Sequence, residues 1–208
     1  MHVIRPATFV QIDSYIKFRQ TIFLYLFLNH TKLFTEATMP KKFFNKCTLL
    51  SLYYSLVYPY LTYCIQIWGS TYDSHLVKLI VLQKKIIRII SGVPPRTHTD
   101  ALFKELKVMK MKDLYSYNVA LFMYKFDLCW LPDIFPMFIR NKEIHAHNTR
   151  QTEYLHIPLC RLNSSKMSVK YLGPKIWNTL VKYIDVYCSI GIFKRSVKSY
   201  LCMNYLIQ

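Results

Sequence analysis

From Cys47 to Tyr72 this chain runs 26 residues without a single charged side chain. A run of that kind has to be covered by lipid or by protein. Its length passes the roughly 20 residues that a membrane-spanning helix needs. Its content points the other way: Pro59 lies near the middle, five tyrosines stand between Tyr53 and Tyr63, and Gln66 follows. Each tyrosine hydroxyl would need a partner inside hydrocarbon. A helix through Tyr58, a kink at Pro59 and a second short helix to Trp68 leaves fewer polar groups stranded. The expectation is a buried kinked helix or helical hairpin. The alternative is a small membrane protein that uses residues 47–72.

A second apolar run, Thr21 to Leu28, is eight residues long between Arg19 and Lys32, too short to span a bilayer. Residues 1–32 read as an atypical N-terminal segment. Met1 to Pro6 do not open a secretory signal, because no compact apolar stretch ends in a small-residue cleavage site. The six cysteines (Cys47, Cys64, Cys129, Cys160, Cys188 and Cys202) are widely spaced, with no C-x-x-C pair. They are expected to be free and mostly buried thiols.

Helical periodicity is clearest in Leu76 to Ile90. At about 100° per residue, Leu79, Leu82, Ile86, Ile87 and Ile90 share one face, and Lys78, Lys84, Lys85 and Arg88 gather on the other. Asp73 and Ser74 are cap candidates, and Gly92 before Pro94-Pro95 ends the helix. A short helix is expected at Ala101 to Leu106. A longer one starts at Asp113, with Leu114, Tyr117, Leu121, Tyr124 and Leu128 at helical spacing. Ile134 to Ile139 is a short turn or helix, and residues 140–153 are polar without usable periodicity. Tyr154 to Cys160 and Met167 to Tyr171 alternate as two short strands joined by Asn163-Ser164-Ser165. Gly173-Pro174 turns the chain into a helix from Lys175 to Val181. A last helix, Ile190 to Tyr205, should bury Ile192, Phe193, Val197, Tyr200 and Leu201. The fold class is mainly α, with one small β-hairpin and C-terminal helices.

Charge narrows the partners. The chain carries 28 Lys+Arg against 11 Asp+Glu, a formal net charge of +17, which makes nucleic acid and anionic membrane surfaces the first partners to weigh. A composition 52% hydrophobic and 16% aromatic argues against disorder. Four glycines cannot build a dinucleotide-binding or phosphate-binding loop. The eleven acids stand apart, so a two-metal site has no seed and no catalytic residue is assigned. His145, His147, His156 and Cys160 are zinc-type ligands, but their spacing matches no structural zinc pattern, and no metal ligand is assigned either. Nothing places an oxyanion hole beside a Cys–His pair. What remains is basic residues interleaved with aromatics. Lys78, Lys84, Lys85 and Arg88 are the first phosphate contacts, Arg96 and Arg150 the next, and Lys166, Lys170 and Lys175 a second basic surface. Tyr171 and Trp177 are placed to stack on bases of single strands, or else to pack in the core.

Several strings stand in one order: Leu52-Tyr53-Tyr54-Ser55-Leu56-Val57-Tyr58-Pro59-Tyr60-Leu61-Thr62-Tyr63-Cys64, Trp68-Gly69-Ser70-Thr71-Tyr72, Leu82-Gln83-Lys84-Lys85 and Arg88-Ile89-Ile90. Asn148-Thr149-Arg150, Tyr171-Leu172-Gly173-Pro174-Lys175-Ile176-Trp177-Asn178 and Phe193-Lys194-Arg195 with Tyr200-Leu201 follow. This order resembles the region after the polymerase palm in reverse transcriptases of non-long-terminal-repeat retrotransposons, jockey-type mobile elements above all. The resemblance runs from about Leu33 to Leu206 and leaves residues 1–32 outside it. It implies a helical thumb-like domain over 33–139 and a C-terminal subdomain over 140–208. The implied function is that of a truncated RNA-directed DNA polymerase without its catalytic palm. Its basic helix Leu76 to Ile90 would track the template–primer backbone of RNA, RNA–DNA hybrid or DNA. The implied protein partner is the missing palm of a longer polyprotein. No cofactor is expected in this region, although the full-length family enzyme would use Mg2+. Nucleus or cytosol follows if nucleic acid is the partner. A relic of a mobile element with no selected activity is the third reading.

Overall fold

The computed structural model describes residues 44–132, 138–144 and 150–203. Two compact units divide the described residues: one takes those up to Cys64 together with Asp73–Leu102, and the other takes Ile65–Tyr72 together with those from Phe103 onward.

In the first unit, helix α1 (Lys46–Leu52) starts at Asn45, whose side-chain oxygen accepts the Thr48 backbone N–H at 2.8 Å. A π-helical turn (Tyr53–Val57) follows, closed by the Tyr58 N–H on the Tyr53 carbonyl, and then α2 (Tyr58–Thr62). The distortion thus falls just before Pro59. Proline has no N–H to return to the Ser55 carbonyl four residues back, and within the first turn of α2 that donor is not needed. Leu49, Tyr53, Val57 and Leu61 are the buried residues of this stretch and recur every four positions. A strict α-helix would rotate such a row by about 40° per step; the wider π turn takes up the drift. Hydroxyls in the uncharged run bond carbonyls one turn back, Ser51 to Cys47 at 3.1 Å, Ser55 to Ser51 at 2.9 Å and Thr62 to Tyr58 at 3.0 Å. Among the described residues no helix is long and apolar enough to cross a membrane.

Helices α3 (Ile65–Trp68) and α4 (Asp73–Ser91) come next, α3 belonging to the second unit and α4 to the first. Helix α4 buries Leu76, Leu79, Gln83, Ile86, Ile87 and Ile90, while Leu82 is only half-buried. The apolar face therefore centres on Gln83, a polar residue. The helix stops in a Schellman motif. Gly92 takes φ 71°, its N–H reaches the Ile89 carbonyl at 3.2 Å, and the Val93 N–H reaches Arg88 at 3.2 Å. Helix α5 (Asp100–Glu105) follows the turn at Pro94 to Thr97.

Helix α6 (Met111–Asp127) is the centre of the second unit, packed by α3, by α9 (Val169–Leu180) and by α10 (Ile190–Met203). Its buried side chains, Met111, Leu114, Tyr115, Val119, Ala120, Met123 and Tyr124, lie nearly all round the helix, as a central helix requires. Of the face expected from Leu114, Tyr117, Leu121, Tyr124 and Leu128, Leu114 and Tyr124 are buried, Tyr117 and Leu121 are half-buried, and Leu128 is 39% exposed. When three neighbours pack on one helix, a single apolar stripe no longer marks its inside.

The expected β-hairpin does not form. Residues 156–160 take no regular structure, and the neighbour of Leu155 is the segment upstream of it. The pairing is limited to one antiparallel bridge, Arg140 to Leu155, with His156 N–H on the Ile139 carbonyl at 2.8 Å and Asn141 N–H on Tyr154 at 2.9 Å. The Leu155 backbone is held instead by the Asn178 side chain, which accepts its N–H at 3.0 Å and donates to its carbonyl at 2.8 Å. Pro158, lacking an N–H, could not extend a ladder. The second expected strand is helical: a turn α8 (Asn163–Lys166), then α9 opening at Ser168, whose carbonyl accepts the Leu172 N–H at 2.9 Å. Helix α9 runs through Gly173-Pro174 rather than starting after it. At Gly173 a Cβ would stand 2.8 Å from the Met123 sulfur, so a larger residue there would have to displace the Met123 side chain. A short turn α7 (Asn141–Ile144) precedes Leu155 in the chain. In α10, Phe193 and Val197 are fully buried, Tyr200 and Leu201 are half-buried, and Ile192 is 47% exposed, against the expectation for that residue. The six cysteines are free, but none is buried: Cys47, Cys64 and Cys129 are exposed and the other three half-buried. Ile134 to Met137 lie outside the described residues.

Candidate nucleic-acid interface

Helix α4 presents Lys78, Lys84, Lys85 and Arg88 within about 120° of arc, opposite the face made by Leu79, Gln83, Ile86 and Ile90. Lys78 and Lys85 are exposed, Lys84 and Arg88 half-buried. Nineteen residues give the helix a length of about 28 Å, so the four cations are spread over some three turns of one side. The only acid from residue 73 to residue 99 is Asp73, in the first turn, where the helix dipole favours it. Two apolar side chains share this outer face, Val77 at 50% and Val81 at 56% exposed. A count of charges along the sequence passes over them, although their helical angle sets them on this face.

Arg88 has a second task. Its Nε donates to the Thr97 carbonyl at 2.8 Å and so clasps the turn that carries Arg96. Thr99, next in that loop, is buried. The fold therefore joins exposed Arg96 to the end of the α4 stripe, a link that the linear spacing does not show.

In the second unit the expected surface does not close into one face. Lys166, at the end of α8, and Lys170 and Lys175, on α9, are all exposed, but Lys170 and Lys175 stand about 140° apart around the helix. Arg150 is exposed at the edge of the described residues. Lys194, Arg195 and Lys198 on α10 are grouped more tightly, within about 100° and away from buried Phe193 and Val197. Their i, i+1, i+4 spacing was the available signal. Trp177 is a core residue, 5% exposed, with its ring 6.1 Å from that of Phe193, so it offers no platform for a base; Tyr171 is half-buried.

Carboxylates that meet in the fold are tied to cations. Arg140 bonds Asp127 at 2.6 Å and Glu153 at 3.3 Å, and Lys142 bonds Glu153 at 3.2 Å. The Mg2+ that the family resemblance implies for a full-length enzyme does not fit the side chains at hand: among the described residues no group of three or more His, Cys, Asp or Glu could hold a metal ion. His156 and Cys160 are half-buried, and His145 and His147 lie outside the described residues. The titratable groups that burial perturbs are phenols. Tyr53, fully buried, is pushed well above its ordinary value of 10.0, with the hydrogen bond from Gln83 working against the shift. Burial raises Tyr58 and Tyr115 as well.

Two curated proteins are similar to part of this chain. Over 79 residues, 36% of the chain, it is 39% identical to the RNA-directed DNA polymerase from mobile element jockey of Drosophila melanogaster. Over 72 residues, 33% of the chain, it is 40% identical to the protein of the same description from Drosophila funebris. Each match spans 8% of the relative's length. No family model and no solved structure matches the chain. The resemblance to jockey-type reverse transcriptases is thereby borne out over about a third of the chain.

Proposed function

We propose that this chain is a nucleic-acid-gripping, thumb-like region of a jockey-type RNA-directed DNA polymerase, with the polymerase chemistry carried by other parts of such an enzyme. The observation that carries the reading is the outer face of α4, where Lys78, Lys84, Lys85 and Arg88 line one side of a helix whose other side is buried in its own unit. Ammonium and guanidinium groups in a row neutralise successive phosphates and release counterions, so binding tolerates sequence and weakens with salt. The similarity to the two jockey polymerases makes RNA, or an RNA–DNA hybrid, the polyanion to try first.

The test is binding of the chain to a labelled RNA–DNA hybrid across a salt series. Lys78, Lys84 and Lys85 are the positions to neutralise, because Arg88 also holds the Thr97 turn and its loss would mix folding with binding. With all three changed to alanine, the slope of log affinity against log salt should fall by about 2 to 3. An unchanged slope with folded protein would remove α4 from the interface.

A further inference from the structure

Around α6 and α10, the second unit exposes aromatic rings where a polyanion-binding surface would use them. Trp130 is 59% exposed, Tyr187 84% and Tyr183 66%. None of them is loose. Trp130 follows the C-terminal turn of α6, with its N–H on the Lys125 carbonyl at 2.9 Å and its ring edge-on to Tyr124, centroids 6.4 Å apart. Tyr124 in turn stacks on buried Phe193 at 4.4 Å, and its hydroxyl donates to the Cys188 carbonyl. That bond fixes the loop carrying Tyr187, whose own N–H is held by the Asp185 carboxylate at 2.9 Å. Trp130 and the Tyr187 loop are thus pinned to the same side chain, Tyr124, one at its ring and one at its hydroxyl. Tyr183, from the same loop, stacks on Tyr200 of α10 at 5.3 Å.

We propose that Trp130 and Tyr187, extended by Tyr183, form a platform on which bases of single-stranded nucleic acid stack. Charge selects this occupant over an apolar one. The surrounding segments supply exposed Lys125, Lys182, Lys194 and Arg195, while of the nearby acids Asp185 is occupied in the turn and Asp127 is paired with Arg140. Every base has a π face, so aromatic platforms beside cations bind single strands with little sequence preference. A duplex, whose bases are already stacked and paired, cannot use the platform. The inference rests on the reading of the chain as a nucleic-acid binder, but it concerns different residues and a different form of the ligand.

The experiment titrates the full chain with an oligouridine of about a dozen nucleotides and, separately, with an RNA–DNA hybrid, following tryptophan emission and affinity. Oligouridine should quench the emission of the parent protein. Trp130→Phe should keep most of the affinity and lose the quenching that Trp130 contributes. Trp130→Ala with Tyr187→Ala should weaken oligouridine binding about tenfold and leave hybrid binding as it was. Both side chains are exposed, so the double variant should keep the parent's circular dichroism; Tyr187→Phe, which preserves stacking, serves as the control. Single-strand affinity that ignores the double variant overturns the proposal. A change in sedimentation with unchanged oligouridine affinity also overturns it and makes the patch a contact between copies of the chain. Loss of hybrid binding in the α4 alanine variant alone leaves the α4 reading standing without this one, and the reverse pattern does the opposite.

Discussion

At position 83, in the middle of the most buried face of α4, the chain carries a glutamine flanked along the helix by Leu79, Ile86, Ile87 and Ile90. Only 1% of it is exposed, and its amide donates to the hydroxyl of Tyr53, itself fully buried, at 3.1 Å. The Tyr53 hydroxyl thus has a buried donor, and losing either half of the bond alone is costly. Gln83→Leu should destabilise the fold by about 1 to 3 kcal/mol because the Tyr53 hydroxyl is then buried without its donor. Tyr53→Phe should cost a similar amount. The double variant should cost less than the sum of the two single losses, which denaturant unfolding of the four proteins would show as a coupling energy; additive losses would mean that the two groups do not depend on each other. A residue of this kind is not legible in a linear pattern. The string Leu82-Gln83-Lys84-Lys85 places Gln83 beside two lysines, and a face drawn through apolar residues alone takes Leu82 at its edge and passes over Gln83, although the helical angle sets Gln83 between Ile90 and Ile87. Gly92, by contrast, was legible as the stop of α4 because glycine is the usual occupant of that conformation. The same motif ends two other helices at Lys107 (φ 52°) and Cys129 (φ 55°), where the residue type gives no signal.

At the scale of elements, the second unit depends on a contact that replaces the hairpin expected there. Alternation from Tyr154 to Cys160 predicts a strand, but residues 154–160 carry only the single bridge at Leu155. What the pattern could not reveal was the partner. The Asn178 amide, on α9, supplies both the donor and the acceptor that a second strand would have offered Leu155. Asn178 follows buried Trp177, so the helix that fills the core with one residue latches the segment at Leu155 with the next. Asn178→Ala should free both Leu155 backbone groups and cost about 1 to 3 kcal/mol. Hydrogen exchange should show faster exchange at Leu155 and His156, while the amides of α6 keep their protection. Unchanged exchange at Leu155 would mean that the latch contributes nothing in solution. The amphipathic helix α4 was read nearly to its ends because one side meets water and the other a core. In helix α6 the single expected face supplies only Leu114 and Tyr124 of the buried set, because core surrounds the helix.

Across the whole molecule the decisive quantity is the net charge of +17. Both units carry basic surface, on α4 in one and on α10 in the other, and each acid that meets another in the described network is already paired with Arg140 or Lys142. Like charges held close in a folded chain repel more than in an expanded one, so the free protein should gain stability as salt screens them. Nucleic acid reverses that dependence. A ligand that binds only the folded chain raises its stability by mass action, and its affinity falls as salt rises. Without ligand, Tm should climb by a few degrees between about 10 mM and 150 mM salt, where the screening length shortens from about 30 Å to 8 Å. With saturating oligouridine or hybrid, Tm should start higher and fall over the same range, and the two curves should converge at high salt. Thermal scans in both series measure this directly. A free-protein Tm that ignores salt would mean that the charges are too far apart to repel. A ligand-bound Tm that climbs in parallel with it would mean that the nucleic acid is not held through phosphates.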